Sequence, residues 1–166
     1  MMNARVLIAD DHAVVRAGLR QMLAEDSAVG DIGEAATGQQ TLERLREGSW
    51  ELLILDIGMP DRSGMDILRH VRSGYPDTRV LILSGFPERQ YAINMLRAGA
   101  HGFLGKESAP DDLIKAVHVI LAGRRLAALS DSSVFGQHLA EPSPDHRMVV
   151  CYEYPGAHHW RHPTES

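Results

Sequence analysis

Four apolar runs in this chain each end abruptly at a polar residue, and that punctuation constrains the fold more than any other feature. Arg5-Val6-Leu7-Ile8-Ala9 stops at Asp10-Asp11, Glu51-Leu52-Leu53-Ile54-Leu55 at Asp56, Arg79-Val80-Leu81-Ile82-Leu83 at Ser84, and Phe103-Leu104-Gly105 at Lys106. Short runs rich in branched aliphatics predict strands buried on both faces. If they lie parallel in one open sheet, their C-terminal edges line one crevice, which is where open α/β sheets bind ligands. Three carboxylates, a hydroxyl and an ammonium would meet there. That crevice would be acidic enough to hold a divalent cation.

Between the runs, apolar residues recur at helical spacing. Val15, Leu19, Met22 and Leu23 share one face; Leu42 and Leu45 precede Trp50; Leu68 and Val71 follow Gly64; Met95 and Leu96 precede Gly99; Leu113, Val117, Ile120 and Leu121 close the series. Gly48, Gly74 with Pro76, Gly99 and Gly123 stand where helices should stop, and Ser108-Ala109-Pro110-Asp111-Asp112 reads as a helix start. A further strand over residues 31–36 is required between two helices, although Gly33 interrupts it and only Ile32 is strongly strand-forming. Five strands alternating with five helices predict an α/β fold, a doubly wound five-stranded parallel sheet in the order 2-1-3-4-5. In that order the first and third strands are neighbours, so Asp10, Asp11 and Asp56 converge.

The 166 residues, 44% of them hydrophobic, suffice for one core-bearing domain with an appendage. A net charge of -5 with dispersed Lys and Arg offers no patch for nucleic acid or anionic lipid. Cys151 is the single cysteine, so an internal disulfide framework is excluded. The first apolar run is too short for a signal peptide or a membrane span, and the expectation is a cytoplasmic protein with no membrane partner.

Ile8-Ala9-Asp10-Asp11-His12, Leu55-Asp56-Ile57-Gly58-Met59-Pro60, Leu83-Ser84-Gly85 and Gly102-Phe103-Leu104-Gly105-Lys106-Glu107-Ser108, in that order, resemble the receiver domain of two-component response regulators. Val15-Arg16-Ala17-Gly18-Leu19 and Gly99-Ala100-His101-Gly102-Phe103 more narrowly resemble its NarL/FixJ (LuxR-type) branch. The resemblance covers residues 4–124 and implies a flavodoxin-like fold. It implies that Asp56 is the phosphoacceptor for a sensor histidine kinase. Asp11, Asp56 and the Gly58 carbonyl would ligate Mg²⁺, with Asp10 acting largely through bound water. Lys106 would pair with Asp56 and then with a phosphoryl oxygen. Ser84 would hydrogen-bond the phosphoryl group, and Phe103 would rotate as the switch aromatic. Phe in place of Tyr leaves that ring without a hydroxyl to fix its position. Gly58 and Phe86, two residues past Asp56 and Ser84, offer no polar group to orient a hydrolytic water, which implies slow self-dephosphorylation. Gly105, where a bulky aliphatic is usual, gives the Lys106 strand end less packing support. His12, His70, His101 and His118 read as surface or helix-end residues.

NarL/FixJ regulators continue into a helix-turn-helix DNA-binding domain, and nothing in this chain resembles one. Residues 125–147 read as a helical or linker extension, with Glu141-Pro142-Ser143-Pro144-Asp145 at its end, and residues 148–166 as an unpatterned, disordered tail. From Arg125 onward there are three arginines, no lysine and five acids, the opposite of a phosphate-contacting surface. Of His138, His146, His158, His159, His162 and Cys151, only the run His158-His159-Trp160-Arg161-His162 offers a nucleus for zinc, and a disordered tail is the favoured reading. Three functions stay open: a receiver within a transcription regulator, dimerising on phosphorylation; a stand-alone receiver acting by protein contact; and an aspartyl-phosphate phosphatase. Asp10-Asp11-His12 does not fit the Asp-x-Asp pattern of the last.

Overall fold

The computed structural model describes residues 3–85, 89–106, 110–122, 139–140 and 149–150. In chain order the elements are β1 (Ala4–Ala9), α1 (Ala13–Ala24), β2 (Val29–Ala35), α2 (Gly38–Glu47), β3 (Leu52–Asp56), α3 (Gly64–Gly74), β4 (Arg79–Ser84), α4 (Arg89–Arg97), β5 (Gly102–Gly105) and α5 (Pro110–Ala122). The five strands form one parallel sheet in the order β2-β1-β3-β4-β5. The fold class read from the sequence is the one observed. Two two-residue strands, β6 (Leu139–Ala140) and β7 (Val149–Val150), pair antiparallel. The expectations that fall on Phe86, Glu107 to Ala109, Gly123, residues 141–145, Cys151 and the tail histidines lie outside the described residues.

Alternation along each strand sends neighbouring side chains to opposite faces, and each face has its own helices. Val6, Ile8, Leu52, Ile54, Leu81, Leu83 and Leu104 meet Leu19 and Leu23 of α1 and Leu113, Ala116, Val117 and Ile120 of α5. Leu7, Ala9, Leu53, Leu55, Val80, Ile82 and Phe103 meet Leu45 of α2, Ile67, Leu68 and Val71 of α3, and Ala92 and Met95 of α4. With both faces covered, the central strands can be apolar throughout, as their sequences are.

Strand β2 begins at Val29, two residues before the expected start, and contains Gly33 rather than being broken by it. The reason is tertiary: a Cβ on Gly33 would stand 2.4 Å from the Trp50 indole, so only glycine admits the ring. The indole Nε1 donates to the Arg44 carbonyl at 3.0 Å, and the Arg5 guanidinium lies 4.5 Å above the ring centroid. Gly99 closes α4 with a φ of 113°, a left-handed conformation that favours glycine.

Candidate phosphoacceptor cleft

Strands β1 and β3 pair directly, Ala9 opposite Leu55, so the residues that follow, Asp10 and Asp56, emerge side by side. Both carboxylates are buried, with 1% and 2% of their surface exposed. Each is fixed on one oxygen by the chain immediately after it. Asp10 Oδ1 accepts the His12 backbone N–H at 2.8 Å, and Asp56 Oδ1 accepts that of Gly58 at 2.8 Å. These are turns in which an aspartate binds the amide two residues on, and they leave Oδ2 of each residue facing the cleft.

The cation that meets those oxygens comes from across the sheet. Strand β5 ends opposite Ser84, and the Lys106 backbone N–H donates to the Ser84 carbonyl at 2.7 Å. From that anchor the ammonium reaches 2.9 Å from Asp10 Oδ2 and 3.0 Å from Asp56 Oδ2. Burial disfavours its charge, but hydrogen bonds to Asp10 and Asp56 outweigh that and hold its pKa above the ordinary lysine value. Despite Gly105, this strand end is therefore tied by both backbone and side chain. Ser84 is buried at the end of β4.

Asp11 is exposed, while its carboxylate comes within reach of the same cluster: one ligand atom each from Asp10, Asp11, His12 and Asp56 lies within 4.8 Å of the others. Besides the lysine, no donor is aimed at Asp10 Oδ2 or Asp56 Oδ2 among the described residues. Three carboxylates against one ammonium leave a negative excess in a partly buried place, which isolated burial does not tolerate well. Hard carboxylate oxygens with free lone pairs beside solvent suit Mg²⁺, which takes a few such ligands and keeps several waters. The residues present fit the ion.

His12 is where sequence reasoning fell short. It does sit at a helix end, as the residue before α1, but its ring turns into the cluster. Nδ1 lies 3.0 Å from Asp10 Oδ1, 3.0 Å from Asp11 Oδ1, 3.9 Å from Asp56 Oδ2 and 3.2 Å from Lys106 Nζ. The contacts to Asp10 and Asp11 are local, but those to Asp56 and Lys106 depend on how close three strand ends come, and no spacing rule announces them. His118 Nε2 pairs with Asp26 at 2.7 Å, and His101 Nδ1 accepts the Val80 N–H at 3.1 Å; both lie away from the cleft. Phe103 is packed inside the core between β5 and the α2–α4 face.

Residues 6–118 match the family model of the response regulator receiver domain. The chain belongs to that family. It is 34% identical over 115 residues to an uncharacterized transcriptional regulatory protein, YhcZ, of Bacillus subtilis, covering 69% of this chain and 54% of the relative. It is 31% identical over 121 residues to the response regulator GacA of Pseudomonas viridiflava, covering 73% and 56%. The chain thus spans about half the length of the curated relatives it matches. Among solved structures, the signal receiver domain of a NarL response regulator from Mycobacterium tuberculosis superposes with a TM-score of 0.70 at 34% identity, over 75% of this chain and all (100%) of that one. The phosphatase alternative finds no support in these matches. Among the described residues no helix of this receiver is long and apolar enough to cross a membrane.

Proposed function

We propose that this receiver accepts a phosphoryl group on Asp56 from the phosphohistidine of a sensor histidine kinase. One observation carries the assignment: Asp56 is buried, oriented through Oδ1 by Gly58 and charge-compensated through Oδ2 by Lys106, at the mouth of an acidic cleft. The carboxylate oxygen attacks phosphorus, the phosphorus–nitrogen bond breaks, the imidazole leaves, and an acyl phosphate remains. Such a transfer needs alignment and charge neutralisation more than covalent help. Lys106 supplies a fixed positive charge, releasing Asp56 to hold a phosphoryl oxygen instead. Ser84, at the adjacent strand end, donates a hydrogen bond to another phosphoryl oxygen. Asp11, Asp56 and the Gly58 carbonyl would hold Mg²⁺, with Asp10 acting through its waters, and the bound ion neutralises phosphoryl charge.

The switch follows from what Ser84 and Phe103 share. Drawing the Ser84 hydroxyl toward a phosphoryl group opens space beside β4 and β5, into which Phe103 turns, so a charge at Asp56 biases a two-state element. The readout surface then lies around α4 and β5. The receiver unit spans residues 4–124, with an extension over 125–147 and a tail over 148–166. It works in the cytoplasm on no substrate but itself, catalysing its own phosphorylation and dephosphorylation. Its output is homodimerisation on phosphorylation within a transcription-regulator system; a curated relative that bears the name of a transcriptional regulatory protein supports the transcriptional reading over action by protein contact alone.

The test is incubation with Mg²⁺ and a small phosphodonor such as acetyl phosphate, followed by intact mass. The wild type should gain the mass of one phosphoryl group and Asp56→Asn should gain none. Equal labelling of both proteins overturns the assignment.

A further inference from the structure

We infer that His12 is a removable plug of the acidic cleft: its imidazole occupies the carboxylates until a divalent cation displaces it. The inference rests on the reading of the cleft as a cation site. One ring atom, Nδ1, stands 3.0 Å from both Asp10 Oδ1 and Asp11 Oδ1 and 3.9 Å from Asp56 Oδ2, with the Lys106 ammonium at 3.2 Å. It is thus the one atom in contact with every charged group of the cluster. The ring engages Asp11 Oδ1, an oxygen that a dication would take, and stands beside Asp56 Oδ2, so an ion entering between those carboxylates competes with the imidazole for its place.

Two features make the ring removable. Its side chain is 62% exposed, in contrast with the buried Asp10 and Asp56, so swinging it outward gives up little buried surface. Its backbone is extended, with φ -87° and ψ 108°, and its own amide is held by Asp10 Oδ1, so the ring can turn while the chain stays fixed. Displacement frees Asp11 Oδ1 from its ring contact and Lys106 from a neighbour. His12 therefore acts through the carboxylates as a positioning residue, setting how much free cation the receiver needs before it can accept a phosphoryl group.

Isothermal titration of Mg²⁺ into the wild type, His12→Ala and His12→Phe tests this. Losing one hydrogen bond to a carboxylate as competitor should tighten binding in both variants by roughly five-fold. Phe keeps the ring's bulk without its nitrogens, so tightening there shows that the nitrogen and not bulk is the competitor. Unchanged affinity in both variants overturns the plug, and weaker affinity overturns it by making His12 a ligand. If no protein of the set binds Mg²⁺, the cation reading of the cleft falls with it. If the plug fails while the wild type binds Mg²⁺, that reading stands.

Discussion

Replacing Asp56 should make the metal-free protein more stable, and the structure gives the size of the effect. Asp56 is attracted by Lys106 at 3.0 Å and repelled by carboxylates within 4.8 Å; at an effective dielectric of about 20 these are worth about 5.5 kcal/mol and about 3.5 kcal/mol per full charge pair. The Asp10 term applies almost in full because Asp10 is buried, whereas the Asp11 term is reduced by solvent. Attraction and repulsion therefore nearly cancel, and the desolvation of a carboxylate that is 2% exposed decides the sign. Asn keeps the acceptor for the Gly58 N–H and removes the charge. Asp56→Asn should gain about 1–3 kcal/mol in chelator, raising the melting temperature by roughly 4–10 °C for a domain of this size. Added Mg²⁺ should raise the melting temperature of the wild type and move the variant much less, since an ion that binds only the folded state stabilises by an amount that grows with the logarithm of its concentration over its Kd. The converse change, Lys106→Met, leaves two buried carboxylates without their ammonium and should cost about 3–5 kcal/mol. Thermal melts of the three proteins in chelator and in Mg²⁺ provide the measurement. An Asp56→Asn protein that melts at or below the wild type in chelator refutes the charge argument.

Other expectations follow from separate parts of the fold. Gly33→Ala places a methyl group 2.4 Å from the Trp50 indole and should destabilise by about 1–3 kcal/mol, with a shift in tryptophan emission during urea unfolding; an unchanged midpoint would show that the ring has room to move. Burial alone would push the Asp26 carboxyl up, but the hydrogen bond to His118, the Ala28 N–H and the His118 charge hold it below its ordinary 3.8. Because the folded value is the lower one, this carboxylate stabilises the fold above about pH 3.8, and that stabilisation is lost as pH falls through the folded value. Acid unfolding of Asp26→Asn should accordingly be shallower than that of the wild type, and superimposable curves would remove the pair from the account. The acyl phosphate should persist for minutes or longer after donor removal, because Gly58 presents no polar side chain to a hydrolytic water; decay within seconds by intact mass contradicts this.

What the sequence made legible was whatever depends on neighbours along the chain. Val6 to Ala9, Leu52 to Leu55 and Val80 to Leu83 declare themselves because burial on both faces demands an unbroken apolar run. The doubly wound order 2-1-3-4-5 then places Asp10 beside Asp56. Strand β2 was harder to see, since it lies at the sheet edge with Gly30 and Asp31 exposed, and its Gly33 answers to an indole seventeen positions away. Asp61 is of the same kind: its carboxylate accepts the Gly38 and Gln39 amides at 2.8 and 2.9 Å, capping α2 from the loop that follows Asp56. A cap supplied from more than twenty residues away has no local signature.

The cleft combines both kinds of determinant, and their division explains its chemistry. Orientation is local: each aspartate binds the amide two residues on through Oδ1, so Asp10 and Asp56 are aimed by turns that any four-residue segment could encode. Compensation is global: the charge facing Oδ2 arrives on β5, separated from Asp56 by fifty residues and from β3 by the width of β4. A group held on one side by a fixed turn and on the other by a side chain from a different strand can exchange its charge partner without losing its aim. Phosphoryl transfer demands that combination, since the nucleophile must stay pointed while the charge around it is redistributed.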